Sequence, residues 1–424
     1  MLTVPLLSAP ASGAGTPGTL DRTFASRGTL VVPLTAGVYQ EWGERLGGLL
    51  RGPGTGFRVV TAGSHPTEVE SSEGVITVRA YRANGKVNTA FNGGKPRLLK
   101  VLSSSPGPGT GLGAVASDDR ARTYLFVGTG DTGDFLGARI YRVTETGRRD
   151  RSYSAVIDSA LLSSLPGSGP LNSGAGGSVK MAVLPDGRAR VCIGGAREVY
   201  LVGFGADGRI EATYGASGVP GVAVYTHATT TSFEASCGAM ATSRDGRVFV
   251  PAAMSYDSGG VIAFSPDGRP DGAFGVDGYA DYSAVDAVVS VEDITVTRAG
   301  VVYLVCWQQG SGGAPGTDFL ARLTPSGTFD PGFGTAGRAE LTGIGSFATL
   351  SIGSADRMYL AHGDTVTRLR QSTGAVDAAF GTAGSIRVAG LSRVTPLTST
   401  RILLGLQRRR PPITSQVLVQ KRYA

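Results

Sequence analysis

At 424 residues the chain has room for two or three ordinary domains or for one large repeat architecture. With 41% hydrophobic residues, and Gly and Pro together about a fifth, it can build a core, which excludes a disordered low-complexity chain. No apolar run is long enough to span a bilayer, and the net charge of +7 is spread over separate turns (Arg188, Arg209, Arg247, Arg269). Only Arg408, Arg409 and Arg410 cluster, which argues against a nucleic-acid partner.

The amino terminus carries a short apolar stretch without a basic region before it, so no signal peptide is read there. From Gly18 onward one motif recurs with a period of roughly sixty residues. Its copies start at Gly18, Gly85, Gly147, Gly208, Gly268, Gly327 and Gly374. Three places on stands an acid or amide: Asp21, Asn88, Asp150, Glu211, Asp271, Asp330 and Asp377. Six places on stands an aromatic: Phe24, Phe91, Tyr153, Tyr214, Phe274, Phe333 and Phe380. A second Gly follows the aromatic in four copies and a third closes five, while the copy at Gly147 is the most degenerate. The first Gly serves a turn with positive φ, and the acid accepts backbone N–H groups as an Asx turn. The aromatic is expected between neighbouring units. Later glycines let the chain reverse into an outer strand.

Between motifs the chain alternates short β-rich runs with Asp-Gly turns, as in Arg244–Arg247 and Pro266–Arg269, without a helical period. Each unit therefore reads as four antiparallel strands, A to D, with the motif between C and D. The chain opens on a motif and one strand, Thr29–Leu34, and closes on three strands near 393–397, 401–407 and 416–422. One plus three completes a unit. The fold class is all-β: a single seven-bladed β-propeller over residues 1–424, of four-stranded blades, closed by the N-terminal strand joining the C-terminal blade. Closure removes sheet edges open to aggregation.

The string Asp318–Gly337 closely resembles the delta-60 repeat of bacterial proteins, and the copies cover nearly the whole chain. That resemblance implies a propeller, commonly exported or on the cell envelope, with no catalytic residue to carry over. A cytoplasmic location is the alternative, since no signal peptide is seen.

Cys192, Cys237 and Cys306 are odd in number and lack CxxC spacing, so they read as small buried side chains rather than disulfides or zinc ligands. The A–B and C–D turns are short and share one face. The B–C and D–A connections vary and share the other, where function is expected. Trp42, His65, His227, Trp307 and His362 all fall on that variable face, with Tyr256 as a further aromatic anchor. Asp131 and Asp134 offer oxygens, but their spacing does not match a calcium loop. Glu292–Asp293 should enter an inner strand near the axis, where an acid/base pair is conceivable. No nucleophile elbow, phosphate loop, metal site or cofactor site is apparent. The expected function is a binding or scaffold propeller for a protein or surface glycan. The alternatives are an enzyme with a site in the axial funnel, or a structural part of a larger assembly.

Overall fold

The computed structural model describes residues 15–35, 44–66, 72–102, 111–129, 137–166, 180–195, 198–226, 237–255, 258–282, 289–308, 310, 316–341, 348–410 and 414–424. Strand β1 (Thr29–Val31) stands alone at the N-terminus. The first blade is β2 (Arg45–Arg51), β3 (Phe57–Pro66), β4 (Ser72–Tyr81) and β5 (Arg97–Leu102). The second is β6 (Leu112–Ser117), β7 (Thr123–Thr129), β8 (Gly137–Val143) and β9 (Arg149–Ile157), and the third is β10 (Lys180–Val183), β11 (Ala189–Gly194), β12 (Glu198–Phe204) and β13 (Val222–Thr226). The fourth is β14 (Ala241–Thr242), β15 (Val248–Ser255), β16 (Ser258–Phe264) and β17 (Tyr279–Asp281). The fifth is β18 (Val289–Val296), β19 (Val302–Gln308), β20 (Thr317–Arg322) and β21 (Arg338–Leu341), and the sixth is β22 (Thr349–Ile352), β23 (Arg357–His362), β24 (Thr365–Arg370) and β25 (Ser385–Arg387). The last three strands are β26 (Leu391–Thr398), β27 (Arg401–Arg410) and β28 (Thr414–Tyr423).

Each group of four pairs in sequence order as an antiparallel sheet, and β1 completes the seventh sheet by pairing with β28. Thr29 lies opposite Gln420, Leu30 opposite Val419 and Val31 opposite Leu418. The expected seven-bladed propeller and its mode of closure are what the structure has. Among the described residues one α-helix was not anticipated, α1 (Ser159–Ser164), which Asp158 caps by accepting from the Leu161 N–H.

The seven starting glycines all have positive φ, from 73° at Gly374 to 85° at Gly18 and Gly327. Six of the seven acid or amide positions turn the chain as expected. Asp330 Oδ1, for example, accepts the Gly332 N–H at 2.9 Å. Glu211 is the exception, and its longer side chain reaches instead for Arg190, at 2.9 Å.

The motif also clasps blade to blade. In six of the seven copies the residue after the aromatic donates its N–H to the carbonyl just before the next blade's starting glycine. The bonds are Ala25 to Asn84, Asn92 to Thr146, Ser154 to Asp207, Gly215 to Asp267, Gly275 to Ser326 and, across the closure, Gly381 to Pro17. Six of the seven starting glycines face the previous aromatic, so closely that a Cβ on Gly327 would lie 3.0 Å from the Phe274 ring, while Gly18 faces the Gly381 backbone and Ile386 instead. The aromatics are buried, as expected, between blades.

The third glycine has a role beyond chain reversal. It makes room for the apolar side chain two places into the motif: a Cβ on Gly337 would lie 2.7 Å from Phe329, and one on Gly384 would lie 2.1 Å from Val376. In the copy at Gly208 this place is taken by Gly221 against Ile210. The degenerate copy at Gly147 still forms a blade, with β9 running through the motif and a register shift between Ile140 and Arg142 absorbing it.

A cation completes each clasp. Arg322 pairs with Asp330 at 2.8 Å, lies over the Phe333 ring and donates to the Ser372 carbonyl of the next blade. Arg142 does the same with Asp150, Tyr153 and the Ala206 carbonyl. Arg368 pairs with Asp377 over Phe380, and Arg190 pairs with Glu211 over Tyr214. Arg58 lies over Phe91, beside the neutral Asn88, and donates to the Glu145 carbonyl. A planar guanidinium suits this position because it can stack on a ring and hydrogen-bond sideways at once. Much of the chain's basic charge is thus engaged within the scaffold.

One expectation is corrected. Cys192 and Cys237 form a disulfide, while Cys306 is free and buried. Cys192 lies in β11 of the third blade and Cys237 just ahead of β14 of the fourth, so the bond crosses a blade boundary. Spacing along the chain could not show this, because the ring brings together residues that are 45 apart.

Candidate functional site

The two faces of the ring differ. On the motif face the A–B turns are uniformly short, as from Val183 to Ala189 and from Thr242 to Val248. On the other face the D–A connections run from the brief Arg387-to-Leu391 link to the long Ile157-to-Lys180 link. Of the residues expected on this variable face, Trp42, Asp131, Asp134, His227 and Tyr256 lie outside the described residues. His65 lies near the end of β3, where only its backbone is described.

Trp307 and His362 are both described, and the fold brings them to the same end of the boundary between the fifth and sixth blades. Trp307 continues the alternation of Tyr303 and Val305 along β19, and His362 continues that of Met358 and Leu360 along β23. Those four residues pack together between the fifth and sixth blades. Cross-strand pairing adds Asp318, directly opposite Trp307, with Leu341 beyond it and Ser290 on the inner side. Hence Ser290, Trp307, Asp318 and Leu341 form one row on the fifth blade, facing His362 on the sixth.

Asp318 is the member that the sequence reading missed. It is only 7% exposed, and its Oδ1 is buried without a hydrogen-bond partner. Burial raises its carboxyl above the ordinary range, opposed by His362 within electrostatic reach. A buried carboxylate oxygen left unsatisfied is costly, so it marks a place suited to a donor that the described residues do not supply.

The carboxylate of Asp293 has a different role. Asp293 lies on the inner strand β18, at a register shift between Val291 and Asp293. Its Oδ2 accepts the Leu350 N–H of the next inner strand at 2.7 Å, and its Oδ1 accepts the Ile294 N–H at 2.9 Å. It thus ties the fifth blade to the sixth. Burial pushes its carboxyl up to about 6, with Lys180 opposing and Glu292 reinforcing the shift. An acid whose folded pKa is raised is stabilising in its protonated form. Stability from this group is therefore greatest in acid and falls as pH rises from about 4 to about 6. Asp293→Asn keeps an oxygen for Leu350, and we expect it to flatten that slope and gain about 1–3 kcal/mol over wild type at pH 8. Denaturant titrations at pH 4.5 and pH 8 check this, and superimposable profiles for the two proteins would refute it.

A groove of about 1050 Å³ runs along the outer edge of the third to fifth blades. Tyr225 and Tyr279 pack on one side, and Tyr282 and Phe329 stack at 4.7 Å on the other. Three of the four rings are nearly buried tyrosines. Among the described residues no group of three or more His, Cys, Asp or Glu is placed to hold a metal ion. Burial raises the Cys306 thiol well above its usual range, which keeps it protonated and unreactive. No described helix is long and apolar enough to cross a membrane.

No family model matches the chain, and no curated protein matches it. Among solved structures it is similar to a protein from Lactobacillus plantarum at 15% identity and a TM-score of 0.47, covering 90% of this chain and 94% of that one. It is also similar to a protein of unknown function from Dyadobacter fermentans at 13% identity and a TM-score of 0.42, covering 94% and 100%. The polysaccharide lyase Uly1 is similar at 11% identity and a TM-score of 0.49, covering 93% and 92%. These likenesses are too distant to carry an argument about activity.

Proposed function

We propose that the protein is a non-enzymatic binding propeller that presents its variable face to a macromolecular partner, a protein or a surface glycan. The observation that carries this reading is the convergence of Trp307, Asp318 and His362 from two blades on that face, around a carboxylate oxygen without a partner. A rigid ring locked on its other face by clasps is suited to hold such a surface in one geometry. The axial carboxylate Asp293 is engaged in tying two blades together, which favours binding over the enzyme reading.

Export to the cell envelope belongs to the same proposal. It is supported by the resemblance to delta-60 repeats and by the Cys192–Cys237 disulfide, since disulfides persist in oxidising compartments. The test is capture from the native cell envelope on the immobilised full-length chain. We expect one partner to be retained, and its capture to fall at least tenfold with Trp307→Ala or Trp42→Ala. Equal capture by wild type and both variants would contradict the proposed face.

A further inference from the structure

We propose that the boundary between the fifth and sixth blades, at the Trp307 and Asp318 end, is a saccharide subsite, in which Asp318 accepts hydrogen bonds from adjacent hydroxyls of a neutral sugar packed against Trp307. This rests on the binding reading above and names the chemistry of its ligand. Three features of this boundary lead there.

Asp318 is nine-tenths buried and carries an oxygen that no donor among the described residues reaches. A ligand that satisfies it must bring its own donors, which selects hydroxyl, amine or guanidinium groups and excludes apolar and purely anionic ligands. Trp307 stands directly across the strand pair from it. This places an aromatic surface beside the acceptor, the pairing of one apolar and one polar contact that a sugar ring offers on its two sides.

The surrounding charge then separates a neutral donor from a cationic one. His362 faces the carboxylate from β23, and register places Thr365 of β24 and Arg387 of β25 on the same face of the sixth blade. On the fifth blade the row otherwise holds Ser290 and Leu341. The Arg387 guanidinium on the same face of the facing blade opposes a second cation, whereas hydroxyl donors meet no such repulsion. The site is therefore matched to a polyol.

Calorimetric titration of the full-length chain tests this, using neutral glucan, mannan and galactan oligosaccharides with N-acetyl-lysine amide as the cationic probe. We expect one neutral series to bind, and its dissociation constant to rise at least tenfold in Asp318→Ala and in Trp307→Ala. Asp318→Asn should bind more weakly than wild type yet melt at the same temperature or higher, because it removes a buried charge whose ionisation opposes folding. The proposal is overturned if no saccharide binds, if only the lysine derivative binds, or if the variants bind as wild type does. An Asp318→Asn protein that melts lower marks the residue as part of the scaffold and also overturns it. Partner capture that survives Asp318→Ala while saccharide binding is absent would leave the binding role standing and remove this subsite alone.

Discussion

Replacing Cys192 and Cys237 together by alanine should lower stability by about 4 kcal/mol, the chain-entropy value for a closed loop of this length. The bond encloses the rest of the third blade and its crossover to the fourth. In the unfolded chain it restrains that whole segment. In the folded ring it fastens two blades whose facing side chains, Val199, Leu201, Val248 and Val250 among them, are fully buried. Both cysteines are themselves buried, so the substitution also leaves a small void, which adds to the loss. Thermal unfolding with and without reductant checks the expectation. A melting temperature that falls by several degrees in the variant, and in wild type only on reduction, agrees with it. A variant as stable as the oxidised wild type would contradict it.

Glu44→Ala should be of similar severity, about 3–5 kcal/mol, because it strands a buried arginine. Glu44 is 2% exposed and lies 3.6 Å from Arg79, which is itself buried in β4. The same carboxylate accepts the Thr35 N–H at 2.9 Å, and its backbone carbonyl accepts from Ser415 of β28. Arg79 donates onward to the hydroxyls of Thr61 and Thr35, and Thr35 also contacts Thr77. One network thus joins the exit of β1, the entry of β2, the first blade and the final strand. Loss of the carboxylate removes the only anionic member of that set. Glu44→Gln should recover part of the loss by restoring an acceptor for Thr35, while leaving the Arg79 charge unpaired. Equilibrium denaturation orders the three proteins, and an alanine variant within about 1 kcal/mol of wild type would show the network to be dispensable.

Blade number and closure were legible because the motif's requirements are strict. A backbone held at positive φ demands glycine, and a crevice between blades demands a ring, so Gly18 through Gly374 and Phe24 through Phe380 repeat openly. The clasp cation was not legible. It comes from the C strand at Arg142, Arg322 and Arg368 but from the B strand at Arg58 and Arg190, so no single spacing marks it. Space, rather than sequence, fixes where that charge must lie.

The site was half legible for the same reason. Trp307 and His362 stand out by rarity, whereas Asp318 is one of many aspartates in turns and strands. Its character comes from facing Trp307 across β19 and β20 and from being left without a donor. The Cys192–Cys237 pairing likewise depends on the neighbourhood of two blades and has no local signal.

The claim on which the rest depends is that the first strand zips onto the last. Leu30 and Val419 lie opposite each other in β1 and β28, so Leu30→Cys with Val419→Cys places two thiols across that seam. Oxidation of the purified double variant, followed by non-reducing electrophoresis and thermal unfolding, reads it directly. A rapid intramolecular cross-link that raises the melting temperature is the predicted result. Thiols that stay free, or link one molecule to another, would contradict a ring closed by its own N-terminus.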